Sequence, residues 1–161
     1  MYTSQGADFS SDLTYRYSLW RCWHPSGERC PTHAVCWIML NPSTADGTKL
    51  DPTLRRCLGY TSAWGYMGLQ VVNLFALRAT DPRDLRRVAS KAGKDVAAKL
   101  DGEDPVGPSD PIGPGNNDAI RAAALGAPLV MLGWGAHGGL LGRGQAVVEM
   151  LRETGIHRVH V

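Results

Sequence analysis

Asn41-Pro42-Ser43-Thr44 sets an amide, two hydroxyls and a fixed turn directly after the apolar run Ile38-Met39-Leu40. An amide both donates and accepts, so Asn41 suits contact with a base edge or the orientation of a water molecule. The same residues could equally close a turn in which Asn41 satisfies backbone groups. Asp46 and Asp51 are the nearest carboxylates, each able to serve as general base or metal ligand. Asp51 also stands before Pro52 with the chemistry of a helix cap, and Asp46-Gly47 could be a turn. Arg55 and Arg56 follow. One of them could turn toward the loop and hold phosphate, because a guanidinium matches its oxygens in pairs.

Two further segments carry chemistry. Asn73 falls near the end of an apolar run, where an amide needs partners. Arg78, Thr80 and Asp81 extend the same edge. Trp134-Gly135-Ala136-His137-Gly138 follows the run PLVMLG. There Trp134 could stack on a nucleobase, Gly135 would allow close backbone approach, and His137 could serve as an acid, a base or an anion donor. The alternative is a Trp packed beneath its own loop with an exposed His. Gly113-Pro114-Gly115-Asn116-Asn117-Asp118 resembles a loop feeding a helix N-terminus, with Asn117 as ligand contact or cap. It lacks the Lys and spacing of a P-loop. Cys22, His24, Cys30, His33 and Cys36 are rich in ligand types, but their spacing matches no standard zinc pairing. No nucleophile elbow and no GxGxxG fingerprint is present. The reading therefore includes no metal and no cofactor.

These loops need elements to hold them. TYRYSLWRCW alternates like a strand, and AVCWIML and GLQVVNL are continuous apolar runs that read as strands buried on both faces. PLVMLG is a third such run, and IHRVHV begins a fourth strand. A helix is predicted over about residues 52–64, with Leu54, Cys57, Leu58 and Thr61 inward. Others are predicted from Asp84, from Asn117 to about Leu125, and over 143–154. Strands alternating with helices predict an α/β fold: a single-domain, three-layer arrangement with a mostly parallel central sheet and helices on both faces. Residues 1–12 are expected to be a flexible N-terminus and 13–161 the domain, with 101–116 as a Pro/Gly-rich loop. In such sheets ligands bind beyond the carboxyl ends of the strands. The loops after Asn41, Asn73 and Trp134 should therefore converge.

Composition narrows the classes. A 161-residue chain with 43% hydrophobic and 20% charged residues fits one ordinary domain. A formal charge of +2 is too weak to indicate nucleic-acid binding by itself. No apolar run reaches the roughly 18 to 20 residues of a membrane span, and the polar start lacks a signal core. A cytoplasmic protein with reduced cysteines is the expectation.

The ordered segments YRYSLWRCW, VCWIMLNPSTAD, DPTLRRC, WGY, VVNLFALRATDP, GPGNND and LGWGAHG resemble the family catalogued as domain of unknown function 1643, across about residues 14–160. That family occurs in bacteria and phages and carries no agreed reaction. Its members continue past the last strand into a further HPLY-like segment. More distantly, MLNPS is similar to the first motif of mismatch-specific uracil-DNA glycosylases. That similarity implies that Asn41 orients water and that Pro42 and Ser43 line a pocket for a flipped base.

Together these readings predict a nucleobase- or nucleotide-binding protein with hydrolytic, N-glycosidase-like chemistry. Asn41 would orient water, Asp46 or Asp51 would activate it, Trp134 would stack and Arg55 or Arg56 would hold phosphate. The expected partners are a nucleobase, a nucleotide or single-stranded DNA, with no membrane; the sequence leaves the oligomeric state open. Two alternatives stand beside this one: a non-catalytic protein that binds or sequesters a nucleotide, and a protein-interaction module.

Overall fold

The computed structural model describes residues 2–25, 31–43, 51–79, 83–90, 110–157 and 159–161. Its elements are β1 (Ser4–Phe9), β2 (Arg16–Cys22), β3 (Ala34–Met39), α1 (Pro52–Ala63) and β4 (Gly68–Asn73). A helical stretch, α2, covers 83–90. α3 (Asn116–Gly126), β5 (Val130–Leu132) and α4 (Arg143–Glu153) complete the order, with a 3-10 turn at Gly135–Gly142 before α4.

One five-stranded sheet runs β1-β2-β4-β3-β5. β3 pairs in parallel with β4 and β5, while β2 is antiparallel to β1 and to β4. The α/β class holds, but the sheet is mixed rather than mostly parallel. The reason is connection length. Only residues 10–15 join β1 to β2, and a parallel pair needs a crossover of about a dozen residues or more. β3 reaches β4 through α1 and can pair with it in parallel. Near the C-terminus, His160 forms an isolated parallel bridge to Met131, where a fourth strand was expected to begin.

The polar start, expected to be flexible, contains β1. Its polar side chains find partners across the ladder: Ser18 Oγ donates to Asp8 Oδ2 at 2.6 Å and Trp20 Nε1 to Ser4 Oγ at 3.2 Å. Gly6 lies directly under the Trp20 ring, where a Cβ would sit 2.4 Å from it. The turn that follows is built around Asp12. Ser10 Oγ and Thr14 Oγ1 donate to its carboxylate at 2.6 and 2.7 Å. These bonds hold its acid well below the usual range, at about 2. Arg78 Nη1 ties the turn to β4's exit by donating to Leu13 O at 2.8 Å.

Alternation along β3 divides the apolar residues between two cores. Val35 and Trp37 pack with Leu19, Leu69, Val71 and, from α1, Leu54 and Cys57. Cys36 and Ile38 pack with Val72, Ile120 and Ala124 of α3 and Val147 and Leu151 of α4. Burying each large aliphatic side chain contributes about 1.5–3 kcal/mol. α1 begins where the sequence signals it: Asp51 Oδ1 accepts from Leu54 N at 2.7 Å and Pro52 occupies the first turn. Leu54, Cys57 and Thr61 are its buried face. Thr61 accepts from Trp37 Nε1 at 3.0 Å, so even the tryptophan's polar atom is satisfied. Cys36 and Cys57 are free and buried, whereas Cys22 is disulfide-bonded and not the expected thiol. Among the described residues no helix is long and apolar enough to cross a membrane.

Candidate functional site

The ends of β3, β4 and β5 meet the start of β2 around a cavity of about 450 Å³ on the α1 side of the sheet. Asn41 follows β3, Asn73 ends β4 and Gly133 follows β5; Asp51, Pro52 and Thr53 come from the start of α1, and Arg16 from β2. Leu19, Met39, Leu54 and Val71 supply an apolar wall. The volume falls within the range of small-molecule sites. Backbone bonds lock the frame: Leu74 N donates to Met39 O at 2.8 Å and Gly133 N to Ile38 O at 2.8 Å.

Asn41 has a fixed orientation. Its Nδ2 donates to Ala79 O at 2.9 Å and to Pro42 O at 3.2 Å. Both partners are carbonyls, so the nitrogen must face them, and Oδ1 is left as a free acceptor on a residue that lines the cavity. Pro42 is buried, and its carbonyl also receives Ala79 N at 3.0 Å. Ser43 lines the cavity with its Oγ buried and without a hydrogen-bond partner. Asp51 caps α1, one of the roles its position suggested, and it also lines the cavity. Thr44, Asp46, Thr80 and Asp81 lie outside the described residues.

Asn73 belongs to the same wall. It is 1% exposed, and its Nδ2 has no hydrogen-bond partner. Behind it, Asn116 Nδ2 donates to Asn73 O and Leu74 O at 3.0 and 3.1 Å, and Arg143 Nε donates to Leu74 O at 2.9 Å. Asn117 accepts from Arg143 Nη2 at 2.5 Å. It is a support for the strand end rather than a lining residue.

Arg16 is the residue that sequence reasoning missed. It is 6% exposed, its Nε is buried without a partner, and no described carboxylate forms an ion pair with it. Burial pushes its guanidinium down to about 10, with Asp51 favouring the charge and Arg78 and Arg21 opposing it. A strand register error explains the omission. Asp8 pairs with Ser18 but Phe9 pairs with Arg16, so β2 carries one extra residue there. Such a bulge re-aims side chains. It turns Arg16 onto the face of Leu19, which simple alternation would deny it.

Other expected residues lie elsewhere. Arg55 and Arg56 are exposed on α1 and do not line the cavity. Arg78 is half-buried over the Phe9 ring at 5.1 Å and outside the lining. Trp134 lines a separate shallow groove with Gly138, Gln145 and Glu149. Its ring packs on its own loop: a Cβ at Gly138 would lie 2.1 Å from Trp134 Cδ1. Gly135 is exposed with φ +62°, and the exposed His137 sets Nδ1 2.9 Å from Arg86 Nη2. Thus the first two strand-end loops share a cavity, while the third contributes only Gly133. Cys57 also lines it, but burial and Asp51 raise its thiol to about 11, which leaves it unreactive near neutrality. Of the Cys/His stretch, His24 stacks on His33 at 4.5 Å. Among the described residues no group of three or more His, Cys, Asp or Glu is placed to hold a metal.

Fold and site define an α/β protein with a polar, strand-end cavity. Residues 16–160 match the family described as protein of unknown function DUF1643, and the chain belongs to it. No curated protein and no solved structure matches the chain.

Proposed function

We propose that the cavity binds a nucleobase or nucleotide and hydrolyses its N-glycosidic bond. The observation that carries this reading is the pairing of Asn41 and Asp51 in one cavity, with Asn41 Oδ1 held as an acceptor by the bonds from its Nδ2. A water hydrogen-bonded to that oxygen and to the carboxylate attacks the anomeric carbon. Asp51 takes the water's proton. The carbon–nitrogen bond breaks, and the base leaves with the electron pair and is protonated by solvent. No aromatic ring lines the cavity among the described residues. The base therefore lies against Leu19, Met39 and Val71, where a polarizable thioether suits a flat ring. The likeness of MLNPS to the first motif of uracil-DNA glycosylases points the same way.

The test is incubation of the full chain with bases, nucleosides, nucleotides and single-stranded DNA, read first by thermal shift and then by mass spectrometry. Release of a free base from a ligand that stabilises the protein is the expected result. A second reading, binding without turnover, is favoured by the commitment of Asp51 Oδ1 to Leu54 N. Stabilisation by a nucleotide that is recovered intact would select it.

A further inference from the structure

We propose that the ligand of this cavity carries a phosphate group, and that Arg16, aided by Asn73 and Ser43, is its receptor. This rests on the cavity reading above and names the class of ligand within it. Three polar side chains of the lining lack hydrogen-bond partners: Arg16 at Nε, Asn73 at Nδ2 and Ser43 at Oγ. Arg16 and Asn73 are 6% and 1% exposed. A buried guanidinium that forms no ion pair with a described carboxylate, with only the charge of Asp51 at longer range, is an unfavourable arrangement that native structures rarely keep unless something else supplies negative charge. Asn73 and Ser43 add donors, so the deficit on this side of the cavity is of acceptors.

The donors reach the cavity from three places: β2, the end of β4 and the loop after β3. A phosphate offers three terminal oxygens in a tetrahedral set, and a carboxylate only two in a plane. Donors on separate elements suit the former. The exposed Arg55 and Arg56 are unsuited to the task, because water already solvates them.

The experiment is calorimetric titration of the full chain with inorganic phosphate, succinate, and matched pairs of nucleosides and their 5′-monophosphates. At least one monophosphate should bind tenfold or more tightly than its nucleoside, and inorganic phosphate should compete with it. Arg16→Gln should bring the monophosphate to the level of the nucleoside, and Arg16→Lys should restore part of the gap. Equal binding of nucleoside and monophosphate to the wild type overturns the inference, whatever the variants do. So does a gap that survives Arg16→Gln, or succinate competing as well as phosphate. The two readings fail separately. Phosphate-dependent binding with no base released leaves this inference standing and removes the glycosidic reaction. Equal cleavage of nucleoside and nucleotide with no phosphate preference does the reverse.

Discussion

Arg16 and Leu19 line the same cavity although they stand three positions apart on one strand. The bulge opposite Phe9 makes this possible. It places a cation where an apolar side chain would otherwise pack. Arg16→Met should therefore make the ligand-free protein more stable, by about 1–4 kcal/mol, while removing affinity for anionic ligands. Urea unfolding in phosphate-free buffer checks it. A less stable variant would mean that the guanidinium supports the fold.

The same residue sets a pH dependence. Burial lowers the folded-state value of Arg16 to about 10, well below that of a free guanidinium. Above about pH 10 the unfolded chain keeps a proton that the folded chain has released, so stability rises with pH there. The penalty is fully present below that range. The stability advantage of Arg16→Met should be constant near neutrality and narrow as pH rises through 10. Paired unfolding curves of the two proteins isolate this effect from other titrating groups.

Asp51 has two functions that one substitution can separate. Asn is as good an N-cap as Asp, so Asp51→Asn should keep the bond to Leu54 N and change stability by less than about 1 kcal/mol. Without the carboxylate, the proposed hydrolysis should fall by about 10²–10⁴-fold. Comparable base release by variant and wild type would remove Asp51 from the chemistry.

Asn41→Ala takes away the donor that joins Pro42 O and Ala79 O. The loss should destabilise by about 1–3 kcal/mol, because Ala79 O is left without it. Turnover should fall further than ligand affinity, since the acceptor for water goes with the amide. Single-turnover assays beside binding titrations would show this split; a fall in both by the same factor would leave Asn41 a structural tie only.

Two glycines should respond in opposite ways. At Gly133 a Cβ would lie 2.5 Å from Met39 Sδ, and the thioether can yield only by moving. Gly133→Ala should narrow the cavity and weaken ligand binding about 3- to 30-fold with a modest effect on folding. At Gly138 a Cβ meets the Trp134 ring, outside the cavity. Gly138→Ala should destabilise by about 1–3 kcal/mol and leave affinity within twofold. Thermal melts and ligand titrations on both variants decide the matter, and a large affinity loss in Gly138→Ala would return Trp134 to the site.

Much of this was legible in the residues. Apolar runs located β3 and β4 almost to their ends, because continuous burial leaves few alternatives. Asp51-Pro52 marked the start of α1 because cap chemistry is local. Asn41, Ser43, Asp51 and Asn73 were legible as lining candidates, since strand ends in parallel pairs must point one way. Arg16 was not, because a one-residue bulge in a ladder leaves no trace in the pattern of a single strand. Trp134 misled for a related reason. A tryptophan after a strand reads as available for stacking, and nothing in its neighbours says that Gly138 will accept its ring. The mixed sheet was hidden in β1, whose polar residues look unpaired until Ser18 and Trp20 lie beside them.

The antiparallel course of β2 has a consequence for how a bound ligand couples the strands. Its starting residue faces the finishing ends of β3, β4 and β5. The cavity therefore joins residues as far apart in the sequence as Arg16 and Gly133. A ligand there bridges β2 to the ends of β3, β4 and β5. By mass action it should slow hydrogen exchange of the globally opening amides in β3 and β4 together, rather than only those nearest to it.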